Sequence, residues 1–214
     1  MSGTLKMIRL DFLTMKSQLV MYLSLVVIVI MFEFMGSSVM VLCLNAAWFT
    51  ALFLSSIFVL QEKNNLDQLY GSVSMRLREI VAGRYLYMLL NFFLTYAAAL
   101  VIHSVISLIL NRQIDFSDAL LGFSVSLLVF SVIIGMQSPL FFKMGYSKAK
   151  RWSFLPFLAV MALVVSPTLL PAVFRIIEHL MMNPNAVIAG CILLSFAVLS
   201  ASCMLSVQAY RKRA

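Results

Sequence analysis

Few side chains in the apolar stretches of this chain could do chemistry. Glu33 is the one carboxylate among them, near the end of the first stretch. Transporters that couple to protons or ions usually keep charged residues at mid-membrane, so Glu33 is the one candidate for that role. The other polar candidates are Asn45, Asn91, His103 and Gln137. For these four the sequence favours interhelical hydrogen bonds, worth about 0.6 to 2 kcal/mol each.

The motifs of common catalytic centres are absent from the sequence. It has no G-x-x-x-x-G-K-[ST] loop for nucleotide phosphates, no H-E-x-x-H zinc motif and no G-x-S-x-G nucleophile. Two histidines, His103 and His179, are too few to favour a metal cluster. His103 and Ser104 are neighbours, so a helix cannot turn them towards each other as a serine protease would need. We therefore expect no enzyme activity and no cofactor or metal in this chain.

The composition identifies the environment in which the elements must form. Hydrophobic residues make up 63% of the 214 positions and charged residues 11%, against about half and a quarter in soluble domains. This excess predicts an integral membrane protein and excludes disordered and disulfide-scaffold classes. The three cysteines lie within apolar stretches without C-x-x-C spacing, so we expect buried, unreactive thiols at Cys43, Cys191 and Cys203.

Six stretches are apolar for about the 20 residues that a membrane-spanning helix needs. The prediction is an all-α membrane protein with six transmembrane helices in a single domain, 1–214. Prolines at 156, 167 and 171 interrupt the fifth stretch, and 167–185 is either a re-entrant segment or a kinked helix followed by a plain loop. The six stretches are 18–34, 39–60, 85–110, 119–141, 154–174 and 186–208.

The basic residues indicate orientation. Fourteen of the sixteen Lys and Arg fall in the N-terminal segment, the second and fourth gaps and the C-terminal tail, leaving only Arg112 and Arg175 on the other side. The acidic residues divide evenly. This asymmetry predicts that both termini are cytoplasmic in a multi-pass membrane protein. The first stretch lacks a small-x-small cleavage site and is expected to be a retained signal anchor.

Residues 1–16 have an amphipathic pattern. Apolar residues recur at helical spacing, and the basic residues lie mostly off that stripe. This pattern predicts a short helix in the inner membrane interface, with an ordinary frayed basic flank as the alternative. The apolar positions are Leu5, Ile8, Phe12 and Met15, and the basic ones are Lys6, Arg9 and Lys16.

Small residues at four-residue spacing predict close helix packing on the fourth and sixth stretches. Such faces fit contacts within one chain as well as contacts between two chains. The pairs are Gly122 with Ser126, Ser131 with Gly135, Ala197 with Ala201, and Ser202 with Ser206.

The segment 61–84 is too polar to span a membrane and too patterned for a linker. One apolar stripe ends before Gly71, where Ser72 or Ser74 could cap the next helix, and a second stripe leads into the third stretch. We predict two short cytoplasmic helices around a turn, a shape suited to docking on a partner; the alternative is a solvated loop on lipid headgroups. The stripes are Leu66, Leu69 and Tyr70, then Leu77, Ile80 and Val81, ringed by Arg76, Arg78 and Glu79.

This segment resembles the loop between spans two and three of ABC-2 type transporter permeases, such as those of phenol-soluble-modulin exporters and of bacteriocin or lantibiotic immunity systems. Their pattern is similar to an E-K pair followed by L-x-x-S-L-P-V-S-R-x-x-I-V-x-x-K-Y-L. The chain departs where the family has proline, at Ser74, and where it has arginine, at Leu77. It matches at Glu62, Lys63, Leu69, Ser72, Ile80, Val81, Tyr85 and Leu86, and conservatively at Val73, Met75 and Arg84.

The resemblance implies a permease that works with two copies of a separate ATP-binding cassette ATPase and a second permease chain, identical or related. ATP and Mg²⁺ would be bound by the ATPase. A coupling helix within 64–81 would dock on it, and 143–152 would make lesser contacts. The resemblance, with the Met and Phe content, implies export of amphipathic or antimicrobial peptides or lipid-like cargo. The docking residues would be Leu66, Leu69, Tyr70, Arg76, Arg78 and Glu79.

Two other classes of function fit the sequence less fully. A membrane immunity or scaffold protein could bind a toxin peptide without energy input and would need no partner at the inner loop. A secondary transporter is disfavoured because the halves show no clear inverted repeat and mid-membrane charge is scarce. An ATP-binding cassette protein encoded in the neighbouring gene would distinguish the permease from both.

Overall fold

A computed structural model describes residues 3–15, 19–66, 76–112, 116–169 and 183–213. Every element in these ranges is a helix, as the sequence predicts. The helices are α1 Gly3–Met15, α2 Leu19–Phe34, α3 Val39–Leu54, α4 Ser56–Lys63, α5 Leu77–Ile109, α6 Phe116–Met144, α7 Tyr146–Ala149, α8 Leu155–Leu169, preceded by the 3-10 turn Trp152–Phe154, and α9 Pro184–Arg213.

Four helical segments in the described ranges are long and apolar enough to cross a membrane. They are α3 continued by α4, α5, most of α6, and α9. The described parts of α2 and α8 are apolar but shorter. Pro167 lies within α8 and does not end it there, whereas Pro171 and most of the predicted re-entrant segment lie outside the described residues. The helical membrane class is confirmed, and the count of six spans stays a prediction.

The third predicted span begins earlier than the sequence indicates. α5 starts at Leu77 rather than at residue 85, so Leu77, Ile80 and Val81 form its first turns and not a separate short helix. The backbone N–H of Arg76 donates a hydrogen bond to Oε2 of Glu79 (3.1 Å), which satisfies one of the polar groups at this helix end. The predicted caps Ser72 and Ser74 lie outside the described residues.

The bundle is organised around α6, which packs mainly on α9 and α3. A Cβ atom at Gly122 would lie 3.3 Å from Cα of Met40 on α3, and one at Gly135 would lie 2.9 Å from Cγ1 of Val198 on α9. The hydroxyl of Ser202 donates to the carbonyl of Gly135 (2.7 Å). These small residues therefore serve contacts within one chain.

Not every predicted small residue or cysteine is used in this way. Ala197 and Ala201 lie on the exposed side of α9. Cys43 is buried, as expected, whereas Cys191 and Cys203 are only partly buried.

The described parts of the four basic segments lie at one end of the bundle, which we call the basic end. α1 packs on α4 and on the start of α5, and α4 packs on α7. The start of α5 and the end of α9 line one cavity. The loop between α2 and α3 and the end of α5 lie together at the opposite end, where Gly36 adopts a left-handed φ of 77° close to Arg112. This grouping agrees with the alternation of gaps that the charge pattern predicts.

Candidate functional site

The centre of the basic end is the fully buried side chain of Arg84. Its Nη2 lies 3.3 Å from Oδ1 of Asp11 on α1, and its Nε lies 3.5 Å from Oδ2 of the same carboxylate. Nη1 donates to the amide oxygen of Gln61 on α4. One guanidinium group thus joins α1, α4 and α5.

Aromatic rings complete the surroundings of Arg84. Its Cζ lies 4.9 Å from the ring centre of Phe58 on α4 and 5.8 Å from that of Phe142 on α6. A guanidinium group over an aromatic face is held by the ring quadrupole and by stacking. Arg84 therefore connects four helices where the loop 61–84 meets the membrane-spanning part of the chain.

Asp11 is as deeply buried as its partner, with 1% of its surface exposed. Burial raises the pKa of the Asp11 carboxyl, and the guanidinium of Arg84 acts in the opposite direction. A buried ion pair of this kind adds little net stability over an apolar pair, yet removing one partner strands the other charge. The ion pair therefore fixes the position of α1 and adds little to the free energy of unfolding.

A glycine permits the close approach of α1. A Cβ atom at Gly83 would lie 2.7 Å from Cβ of Met7 and 3.0 Å from the carbonyl oxygen of Thr4. The buried face of α1 carries Met7, Asp11 and Met15. Leu5 and Phe12 of the predicted apolar stripe stay about half exposed. A helix is present over Gly3–Met15, and most of its packing uses a different face from the predicted stripe. Its place in the membrane interface stays a prediction.

The two loops at the basic end are joined by Glu62. Its Oε2 accepts a hydrogen bond from the backbone N–H of Ser147 (3.0 Å), and its Oε1 accepts one from the Ser147 hydroxyl. Ser147 lies at the beginning of α7, where backbone N–H groups lack helical partners and favour a carboxylate. The sequence singles out Glu62 as a pattern match and gives no sign of this bond.

The structure describes four of the six predicted docking residues. Leu66 packs against the main apolar core. Arg76 and Arg78 are exposed, and Glu79 is partly buried beside the Arg76 amide. Leu69 and Tyr70 lie outside the described residues.

A second polar cluster lies at the opposite end and contains Glu33. The carboxylate is fully buried, with Oε2 3.0 Å from Nδ1 of His103 and Oε1 3.8 Å from Nη1 of Arg112. Nε2 of His103 lies 3.4 Å from the hydroxyl of Ser107. Glu33 thus joins α2 to the last turns of α5 and to Arg112, which follows the end of that helix.

The remaining intramembrane candidates make structural hydrogen bonds. Asn91 accepts from the Tyr22 hydroxyl on α2 (2.7 Å), and Gln137 donates to the carbonyl of Ser153 (2.8 Å). Asn45 donates to Val41 of its own helix (2.9 Å), so the expectation of an interhelical bond is wrong at that residue. These contacts position helices and assemble no catalytic arrangement in the described part of the chain.

An apolar cavity of about 490 Å³ opens between α1, α2 and α5. The Tyr22–Asn91 pair and the hydroxyl of Thr95 are its main polar groups, and the described residues that line it include no charged side chain. Cavities of this size and character are suited to apolar ligands.

The model of the family described as ABC-2 family transporter protein matches residues 6–211, nearly the whole chain. No curated protein and no solved structure is detectably similar to the chain.

Proposed function

The chain belongs to the ABC-2 family of transporter proteins, and we propose that it is the membrane subunit of an exporter driven by a separate ATP-binding cassette ATPase. The chain itself supplies no catalytic residue, metal or cofactor in this proposal. It would lie as a multi-pass protein in the bacterial cell membrane, with six spans and the basic end in the cytoplasm.

The arrangement around Arg84 is the observation that carries the proposal. Arg84 holds α1 and α4 to the base of α5, and Glu62 ties the end of α4 to α7. Both ends of the segment between α4 and α5 are thus bonded to the same group of helices. Movement imposed on that segment would be passed directly to α5, a helix of 33 residues that runs to the Glu33 cluster.

The ATPase would dock on this segment. We propose Leu66, Leu69 and Tyr70 as apolar anchors in a groove of the ATPase, with Arg76, Arg78 and Glu79 as the polar rim. Residues 143–152 would make lesser contacts. Two ATPase copies would act on two permease chains, identical or related, and ATP binding would bring the ATPases together and tilt the permease halves. ATP and Mg²⁺ belong to the ATPase.

The cargo we propose is an amphipathic or antimicrobial peptide, or a lipid-like molecule. The chain contains 15 Met and 17 Phe, which form adaptable apolar surfaces. The cavity between α1, α2 and α5 has the apolar lining that such a cargo would need.

Co-purification with the ATP-binding protein encoded beside this chain tests the proposal. We expect a stoichiometric complex in mild detergent that hydrolyses ATP, with candidate peptides stimulating hydrolysis. Arg76→Glu with Arg78→Glu should weaken the complex, whereas Lys6→Glu on the exposed side of α1 should not. If no complex forms with the unmodified chain, passive binding of a toxin peptide becomes the leading function.

A further inference from the structure

A basic cavity lies between the beginning of α5 and the end of α9. Its volume is about 770 Å³. Three guanidinium groups and one carboxamide surround two apolar side chains, and no acidic residue is among the described residues that line the cavity. The lining residues are Arg76, Leu77, Arg78, Val207, Gln208 and Arg211.

The three arginines are not neutralised within the described part of the chain. The ion pairs seen there join Asp11 to Arg84 and Glu33 to His103 and Arg112, and none of them includes an arginine of the cavity. Glu79, the nearest acidic residue in sequence, accepts a hydrogen bond from the backbone of Arg76. Like charges gathered around one cavity repel each other, so an anion placed among them would be favourable. Guanidinium groups bind phosphate oxygens through paired N–H donors.

The position of the cavity along the helices suggests where its anion comes from. On α9, exposed apolar side chains at Met204 and Leu205 give way to Gln208 and Arg211. On α5, Arg76 and Arg78 precede the buried Ile80 and Val81. Helices that cross a membrane change from apolar to basic at the depth of the lipid headgroups. Basic pockets between such helices are known to hold anionic headgroups.

We propose that this cavity binds the headgroup phosphate of an anionic phospholipid. Arg76, Arg78 and Arg211 contact the phosphate, and the carboxamide of Gln208 donates to an oxygen of the headgroup. Leu77 and Val207 contact the apolar part of the lipid where its chains begin. The bound lipid bridges α5 and α9. The site requires insertion in a membrane and is independent of the cargo. Arg76 and Arg78 also belong to the proposed polar rim for the ATPase, so the test below uses Arg211, which belongs to the cavity alone.

Native mass spectrometry of the full chain in detergent tests the site, with phosphatidylglycerol and phosphatidylcholine added separately. We expect the chain to retain one phosphatidylglycerol in preference to phosphatidylcholine. Arg211→Gln should weaken that binding about fivefold, the effect of one basic contact to an anionic lipid. Lys212→Gln is the matched control, because Lys212 lies next to Arg211 and outside the cavity lining, and it should bind like the unmodified chain. Gln208→Leu gives a second lining variant if Arg211→Gln does not fold.

Several results would overturn the site. Equal retention of the two lipids, or equal binding by the Arg211 and Lys212 variants, would show that no specific headgroup site exists. Displacement of phosphatidylglycerol by an equal concentration of inorganic phosphate would assign the cavity to a free anion. Loss of ATPase co-purification in Arg211→Gln with lipid binding intact would assign it to the protein partner. A failed lipid test with a normal ATPase complex would leave the proposed exporter function standing.

Discussion

Asp11 and Arg84 lie 73 positions apart in the chain and form a buried ion pair with 3.3 Å between Oδ1 and Nη2. Asp11 belongs to the helix that precedes the first span, and Arg84 belongs to the base of α5. The pair fixes the N-terminal helix against the segment that we propose receives the ATPase. The N-terminal helix is therefore a structural part of the proposed coupling region.

Breaking this pair on one side should be costly. Arg84→Met leaves Asp11 buried without a cation, and removal of one partner of a buried pair typically costs roughly 3–5 kcal/mol. Asp11→Asn leaves Arg84 with Gln61 and the aromatic rings, so its cost should be smaller. Thermal unfolding in detergent measures both. The double variant should recover part of the loss, and Arg9→Met, on the exposed side of α1, should change little.

Gly83 should tolerate no side chain. In Gly83→Ala the new Cβ meets Met7 at 2.7 Å, so α1 must shift, at a cost of about 1–3 kcal/mol for overpacking. Gly190→Ala on α9 is the matched control, since no atom of the described residues lies within 4 Å of its Cβ position. There the change removes a helical glycine and should be neutral or stabilising by about 0.5–1 kcal/mol. Similar unfolding temperatures for the two variants would contradict the close packing of α1 on α5.

The features predicted from sequence are those carried by local composition. The apolar stretches locate α3, α5, α6 and α9, because a spanning helix must satisfy its backbone internally and cover it with apolar side chains. The small residues at Gly122 and Gly135 locate close helix contacts, because backbone approach requires the absence of a bulky side chain.

The features that escaped prediction depend on contacts between distant residues. Arg84 counts as a loop cation in the sequence, and only the fold shows that Asp11, Gln61 and two aromatic rings bury it. The helical pattern around His103 indicates no partner for its side chain, and only the fold shows that Glu33 of α2 lies beside it. The Glu62–Ser147 link is equally long-range. Acidic and basic residues near the predicted spans could have indicated such contacts. However, many different pairings of these residues were compatible with the sequence.

Glu62 should matter for coupling more than for folding. Glu62→Gln removes the charge that holds Ser147 at the beginning of α7, and hydrogen bonds to charged groups are worth about 1.5–3 kcal/mol. We expect the ATPase complex to form but its hydrolysis to respond less to cargo. Lys63→Gln, at the exposed neighbouring residue, controls for general charge effects. Full cargo response in Glu62→Gln would mean that the link between the two loops carries no signal.

The Glu33 cluster should be structural rather than proton-coupling. Glu33→Gln keeps a hydrogen-bonding group beside His103 but removes the charge facing Arg112, so the unfolding temperature should fall. Asn45→Ala should have a smaller effect, because that amide bonds only within its own helix in the described structure. Transport by the unmodified chain in vesicles should continue after the proton gradient is collapsed and stop without ATP. The reverse result would favour a secondary transporter.

The orientation of the bundle can be read by cysteine labelling. In a chain without Cys43, Cys191 and Cys203, a single cysteine at Lys150 tests the basic end and one at Asn183 tests the opposite end. Both positions are exposed. The excess of basic residues around Lys150 predicts that it faces the cytoplasm. A membrane-impermeant maleimide should therefore label Asn183→Cys in intact cells and Lys150→Cys only after permeabilisation. Labelling of both in intact cells, or of Lys150→Cys alone, would contradict this topology, and with it the placement of segment 61–84 within reach of a cytoplasmic ATPase.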